Sequence, residues 1–316
     1  MKYLVTGGAG FIGSHLCEAL LDKGIEVICV DNFDDYYNPE FKKNNIKSCI
    51  KNKNFTLFNA DITELSQLNP IFQKNKIDRV VHLAARAGVR PSIANPFIYE
   101  KVNVNGTLNL LDIARKFKIK NFVFSSSSSV YGNLSKVPFS ENEKTDCPIS
   151  PYAATKKSAE LLCYAYSELY NLPITCLRLF TVYGPRNRPD MAAYIFMDQI
   201  YKEKEIKVFG NGKNKRDYTY VADIVHGVLL SLEKESKFEI INLGNSNPVE
   251  LNVLISLIEE SVGKKAKISR MESQPGEVDI TYSGITKAKK ILGWKPKVNI
   301  REGVNKLAEW YKNERA

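Results

Sequence analysis

Short apolar runs punctuate the first 125 residues, with longer stretches of mixed polarity between them. The runs end near Thr6, Val30, Phe58, Val81 and Ser125. Helix-like stretches separate them, one from Ser14 to Lys23 and the longest from about Ile98 to Lys118. This alternation predicts an α/β fold with a doubly wound parallel sheet and right-handed crossovers. The charged, asparagine-rich patch Lys42 to Asn54 reads as an exposed helix and its following loop. Ser135 to Ser150 reads as a polar loop that feeds a helix starting at Ser150-Pro151, because proline is tolerated in a first helical turn. A further strand is expected at Ile174–Leu179, after which the rhythm breaks at Tyr183-Gly184-Pro185.

The remainder mixes helices with short strands at Ile206–Phe209 and Glu239–Leu243. Two interleaved parts are expected. Residues 1–180, with a segment of about 217–243 returning to the sheet, form a dinucleotide-binding Rossmann unit. Residues 181–316 form mainly a smaller α/β lobe over a substrate.

Two motifs carry the chemistry. Thr6-Gly7-Gly8-Ala9-Gly10-Phe11-Ile12-Gly13 follows the first strand and opens the first helix. Gly7 allows the tight turn, Gly10 lets backbone approach a pyrophosphate, and Gly13 lets the helix pack on the sheet. The next strand ends in Asp31, placed to accept hydrogen bonds from an adenosine ribose and to repel a 2′-phosphate. NAD is therefore favoured over NADP. Asp61-Ile62 follows a third strand, Phe55–Phe58, and is expected at the adenine. His82-Leu83-Ala84-Ala85 follows a fourth, Asp78–Val81, and small residues there let backbone lie against the cofactor. His82 itself reads as a packed, hydrogen-bonded histidine.

The second motif is Tyr152-Ala153-Ala154-Thr155-Lys156, which sets a phenol and an ammonium one helical turn apart. A free phenol is a weak base at neutral pH, and neighbouring positive charge lowers its pKa. The serine run Ser125 to Ser129 ends a strand and supplies hydroxyls to share a substrate's proton. The reaction class implied is hydride transfer to or from a secondary alcohol.

Composition narrows the alternatives. The chain has 316 residues, 44% of them hydrophobic, enough for a substantial core. No apolar stretch approaches the ~20 residues of a membrane span, and the start of the chain has glycines where a signal peptide needs an apolar segment. Six scattered cysteines, without a C-x-x-C pair, suit reduced thiols of a cytoplasmic protein. Three histidines make a histidine metal cluster an unpromising reading, and no metal is expected. The net charge of +10 reads as a lysine-rich surface, with a field for an anionic substrate as the functional alternative. No nucleic-acid-binding motif accompanies it.

With these motifs in place, the chain resembles the extended short-chain dehydrogenase/reductase superfamily, in its NAD-dependent nucleotide-sugar epimerase branch. Its markers run from Thr6–Gly13 through Asn103-Val104-Asn105-Gly106-Thr107 and Tyr152–Lys156 to Arg216–Asp223 and Gln274-Pro275-Gly276-Glu277. The resemblance implies catalytic roles for Tyr152 and Lys156, with Ser127 or Ser129 relaying the proton. It implies cofactor contacts at Gly7, Gly10, Phe11, Ile12 and Gly13, at Asp31, Asn32, Asp61 and Ile62, and at Leu83, Ala84, Ala85, Asn103 and Ser125. Tyr152 and Lys156 also belong to that set. Val208, Phe209, Arg216 and Gln274 would hold the nucleoside diphosphate of a UDP-sugar.

Within the branch, UDP-glucuronate 4-epimerases match best, through Asp31–Tyr37, Ala87-Gly88-Val89-Arg90 and Thr181–Met191. Thr181 and Arg188 would clamp the sugar carboxylate, with a pairing of Arg188 to Asp190 as the structural alternative. Arg86 and Pro91 depart from the glutamine and tyrosine often found there. UDP-glucose and UDP-N-acetylglucosamine 4-epimerases remain alternatives, as do a UDP-glucuronate decarboxylase and a non-catalytic relative. A 4,6-dehydratase is disfavoured, since Ser128-Ser129 stands where Asp-Glu is usual. The resemblance also implies a homodimer through a four-helix interface formed by the regions Asn95–Lys118 and Pro151–Tyr170, with Leu161, Leu162, Tyr164 and Tyr166 as apolar contributors or, alternatively, internal core.

Overall fold

Seven of the apolar runs pair into one parallel sheet in a computed structural model that describes residues 1–134, 136–272 and 278–315. In chain order the first half reads β1 (Lys2–Thr6), α1 (Phe11–Asp22), β2 (Glu26–Asp31), α2 (Pro39–Asn45), β3 (Phe55–Asn59), α3 (Leu65–Lys74) and β4 (Arg79–His82). Short helices α4 (Val89–Ala94) and α5 (Pro96–Tyr99) follow, then a π-helical turn (Glu100–Asn105), α6 (Gly106–Lys116) and β5 (Asn121–Ser127). The long α7 (Pro151–Tyr170) leads to β6 (Ile174–Leu179).

Beyond it lie β7 (Thr181–Tyr183), α8 (Ala192–Tyr201), β8 (Glu205–Phe209), β9 (Lys215–Arg216), β10 (Tyr218–Tyr220) and α9 (Val221–Glu233). The chain ends with β11 (Phe238–Leu243), β12 (Val249–Glu250), α10 (Leu251–Val262), β13 (Lys267–Met271), α11 (Thr286–Leu292) and α12 (Ile300–Glu314).

The sheet order is β11-β6-β5-β4-β1-β2-β3. The strand order reverses between β1 and β4, and in such sheets the crevice outside the strands' carboxyl ends at this point receives ligands. Thr6 lies opposite both Val30 and His82, so the glycine turn, Asp31 and the segment after His82 converge at one rim. Apolar side chains bury on both faces of the sheet: Val5, Val81 and Val123 on one, Leu4, Val80, Phe122 and Phe124 on the other. This alternation is the period-2 consequence of strands covered on both sides.

Three expectations are revised. β5 runs on to Ser127, so two more serines belong to the strand than the apolar pattern suggested. The helix expected from Ile98 is interrupted by the π-turn, which turns Asn103 inward to 2% exposure. The Lys42–Asn54 patch is only partly surface. Lys42 donates from Nζ to the Asp34 carbonyl at 2.8 Å, and the buried Asn45 donates to the Ala9 carbonyl at 3.1 Å. Both side chains brace the cofactor-side loops, a tertiary contact that local polarity does not signal.

Candidate active site

The glycine turn is built by close backbone contact. Gly7 has φ +67° and donates to the Val30 carbonyl at 2.8 Å, while Gly10 donates to the Gly7 carbonyl at 3.1 Å. A Cβ on Gly13 would stand 2.1 Å from that carbonyl oxygen, and one on Gly7 would stand 2.7 Å from Ala84 N. Helix α1 starts here with no side-chain cap and no acid in its first turn. Its first amides and its dipole therefore face the crevice, an arrangement that fits the pyrophosphate of a dinucleotide.

Asp31 is 7% exposed. Its Oδ2 accepts from Ala9 N at 3.1 Å and its Oδ1 from Phe33 N at 2.9 Å. Burial pushes its carboxyl up, and Lys42 pulls it back. Asn32 donates to Asp61 Oδ2 at 3.0 Å, which ties two of the anticipated cofactor positions together.

Behind the rim, His82 is 1% exposed between Thr6 Oγ1 at 2.8 Å and Thr107 Oγ1 at 2.9 Å. Thr107 gives its own proton to the Asn103 carbonyl at 2.6 Å. It therefore accepts from His82, which places the ring proton on Nε2. Burial pushes the imidazole down to about 3, so it stays neutral. This is the packed histidine the sequence suggested.

One cavity of about 470 Å³ collects most of the anticipated residues. Its walls include Gly7, Gly10, Phe11, Ile12 and Gly13, then Asp31, Asn32, Asp61 and Ile62, then Leu83, Ala84 and Ala85. At its inner end stand Ser125, Ser127, Ser129, Tyr152, Lys156, Thr181 and Arg188. A second cavity of about 210 Å³ shares Val89, Ser128, Ser129 and Thr181 with the first and adds Arg90 and Arg216.

Not every anticipated residue reaches these walls. Asn103 sits behind the first cavity: it accepts from Arg86 N at 2.8 Å and donates to Arg86 O at 3.0 Å and to Thr155 Oγ1 at 3.1 Å. It clips the loop after β4 to the tyrosine helix. Val208 is 1% exposed in the core, and Phe209 lies under the Arg90 guanidinium, 4.7 Å from its ring centroid. Gln274 lies outside the described residues.

The proton-transfer groups stand on rigid elements. Ser150 caps α7 by accepting from Ala153 N at 3.1 Å. Tyr152 N donates to Ser92 Oγ at 3.1 Å, and the Tyr99 ring packs edge-on against the Tyr152 ring. Ser127 acts on the Tyr152 phenol, pulling its pKa down, and the Ser127 and Ser129 hydroxyls lie 3.1 Å apart. Lys156 is 3% exposed, with Nζ 4.4 Å from the Phe124 ring centroid.

The electrostatics revise one expectation. Burial pushes the Tyr152 phenol above its ordinary value, and the groups pulling it down are Ser127 and Arg188, not Lys156. Burial likewise pushes Lys156 down to about 8. Desolvation dominates at both groups, so a phenolate at Tyr152 draws its stabilisation from Ser127 and Arg188 rather than from Lys156.

Among the cavity residues that escaped the sequence reading as site residues are Asp34, Tyr36, Arg86 and Asp190. The Arg86 and Arg188 guanidinium carbons stand 5.2 and 5.7 Å from the Tyr36 ring centroid. Arg86 also pairs with Asp34 at 2.8 Å, and Arg188 forks Asp190 at 3.0 and 2.6 Å. The arginine–aspartate alternative for Arg188 is thus realised, on a side chain that also lines the cavity. In the sequence, Asp34 and Tyr36 stood only within a resemblance-carrying stretch, Arg86 only as a departure from it, and Asp190 only as the alternative partner of Arg188.

Residues 4–307 match the family described as GDP-mannose 4,6 dehydratase. A UDP-glucuronate 4-epimerase of Thermodesulfobacterium geofontis is 47% identical over 98% of this chain and 96% of its own length. The crystal structure of UDP-glucuronic acid 4-epimerase from Bacillus cereus, in complex with UDP-glucuronic acid and NAD, is similar with a TM-score of 0.94. It is 38% identical and covers 99% of both chains. UDP-glucose 4-epimerase from Thermotoga maritima, solved with UDP-glucose, has a TM-score of 0.92 at 36% identity, again over 99% of both chains. With a match spanning nearly its whole length, this chain belongs to the GDP-mannose 4,6 dehydratase family of extended short-chain dehydrogenases/reductases.

Proposed function

We propose that the protein is an NAD-dependent UDP-glucuronate 4-epimerase, an isomerase that inverts C4 through a transient 4-keto sugar. The observation that carries this reading is the meeting of Tyr152, Ser127, Lys156, Thr181 and Arg188 on one cavity whose far end is the glycine turn. The turn and Asp31 would hold NAD, which when bound would supply the reversible hydride chemistry at C4.

The chain's residues do the rest. Tyr152, as phenolate, takes the proton of the C4 hydroxyl, with Ser127 or Ser129 sharing it. Arg188 supplies positive charge that favours the phenolate, and Lys156 supplies donors for a ribose. Arg90, Phe209 and Arg216 hold the nucleoside diphosphate; the planar guanidinium forks of the two arginines suit phosphate oxygens. The flat 4-keto sugar turns about its diphosphate bonds before C4 is reduced on its opposite face. Tyr152 then returns the proton.

The keto sugar of a uronic acid is a β-keto acid, which loses carbon dioxide when its C5–C6 bond stands perpendicular to the carbonyl plane. Thr181 and Arg188 hold the carboxylate away from that geometry. A charged hydrogen bond of this type is worth ~1.5–3 kcal/mol, enough to bias one rotamer. The Arg188–Asp190 fork favours a second reading, epimerisation of a neutral UDP-glucose, because it already occupies the guanidinium.

We divide the chain as read from its sequence, on the support of β11 pairing with β6 in the main sheet. We also propose a homodimer through the α5–α6 and α7 faces, where Phe97 is 83%, Leu161 58% and Tyr164 50% exposed. A cytoplasmic setting rests on six unpaired cysteines, five of them buried. No helix among the described residues is long and apolar enough to cross a membrane. Incubation with UDP-glucuronate, UDP-glucose and UDP-N-acetylglucosamine, with products identified by NMR, tests the reading. UDP-galacturonate as the main product supports it; turnover of the neutral sugars alone rejects it.

A further inference from the structure

The loop between β7 and α8 carries Arg188 into the cavity, yet its own backbone is locally unfavourable. Arg186 has φ +63°, a left-handed conformation that residues with a Cβ adopt reluctantly. Next to it, Asn187 is 1% exposed, and neither its Oδ1 nor its Nδ2 has a hydrogen-bond partner among the described residues. Such features persist only where surrounding contacts over-determine them.

The contacts that do so come from α1, the helix that begins at the glycine turn. Arg186 Nη1 and Nη2 each donate to a Glu18 carboxylate oxygen at 2.8 Å, a bidentate fork. Ser48 donates to Glu18 Oε1 at 2.6 Å and fixes that carboxylate from the other side. One turn earlier on α1, His15 Nε2 lies 2.9 Å from the Pro185 carbonyl. A carbonyl only accepts, so this nitrogen carries the proton. None of Glu18, His15 and Arg186 lines either cavity, whereas Arg188, two residues on, does.

We propose that Arg186 is a positioning residue, whose fork to Glu18 bolts the Arg188 loop onto the dinucleotide helix. Its effect is on substrate choice: it sets where Arg188 meets the sugar carboxylate. The inference rests on the reading of Arg188 given under Proposed function.

The test uses Arg186→Ala, Glu18→Gln and Arg186→Lys in the full chain. Two readouts are taken, hydrogen exchange of the backbone amides of residues 184–191 and kcat and KM for UDP-glucuronate and UDP-glucose. Small misplacements of a positioning group cost on the order of tenfold or more. Arg186→Ala and Glu18→Gln are each expected to speed exchange in this loop and to lower the UDP-glucuronate to UDP-glucose kcat/KM ratio about tenfold, mostly through KM. Arg186→Lys restores part of that ratio. Glu18→Gln keeps the helix intact and decides the matter if Arg186→Ala fails to fold. Unchanged exchange, or equal losses on both sugars, overturns the proposal. A wild-type protein that turns over neither sugar defeats the functional reading, while the exchange result still decides the tether.

Discussion

Arg178 forks Glu160 through Nε at 2.9 Å and Nη2 at 2.8 Å, with both side chains 1% exposed. Ser126 donates to the same carboxylate at 2.6 Å. Glu160 lies one turn beyond Lys156 on α7, Ser126 directly precedes Ser127 on β5, and Arg178 is on β6. The pair therefore fastens the helix of the phenol to the strand of its hydroxyl partner. Removing one member of a buried ion pair strands the other charge, at about 3–5 kcal/mol. Arg178→Met is expected to lose stability of that order in urea unfolding. The double variant Arg178→Met/Glu160→Leu should recover much of it.

Gly13→Ala tests the turn. The new Cβ would meet the Gly7 carbonyl and Gly8 Cα, at 2.1 and 2.7 Å, both of them backbone atoms. Overpacking of this kind costs about 1–3 kcal/mol. The expected outcome is a folded protein that binds NAD roughly ten- to a hundredfold more weakly, measured by titration calorimetry.

Much of this architecture was legible in the sequence because strands covered on both faces must be apolar and must end where the chain turns. Thr6, Val30, Phe58 and Val81 mark those ends within a residue of the observed strands. The glycine turn was legible because its spacing reflects steric necessity. What stayed hidden depends on tertiary partners. Lys42 and Asn45 look solvated until the Asp34 and Ala9 carbonyls receive them. Asn103 reaches Arg86 and Thr155 only because a π-turn redirects it. Nothing local in Glu160 or Arg178 announces a buried pair, since each sits in a segment whose neighbours fit an ordinary helix or strand.

Lys156 makes a pH prediction. Its folded-state pKa is pushed by burial from 10.5 down to about 8. Below pH 8 both folded and unfolded chains hold the proton, and the folded state carries a desolvated ammonium. Between about 8 and 10.5 the unfolded chain still binds a proton that the folded chain has released, so this group's contribution to stability rises with pH. Lys156→Met should therefore be more stable than the parent at pH 7. That advantage should shrink as pH climbs through this window, followed by denaturant midpoints in parallel for the two proteins.

Tyr152→Phe removes the phenol but leaves the packing of its ring against Tyr99. Loss of a positioned acid–base group lowers rates by about 10²–10⁴-fold. We expect kcat to fall in that range, with KM for UDP-glucuronate within a few-fold of the parent, in steady-state assays.

In the proposed reaction the hydrogen on C4 leaves the sugar and comes back to the same carbon from the other side. UDP-glucuronate deuterated at C4 tests this directly, with the product examined by NMR and mass spectrometry. The expected product is UDP-galacturonate that retains deuterium at C4. Product carrying solvent hydrogen at C4, or a pentose formed with release of carbon dioxide, would contradict it.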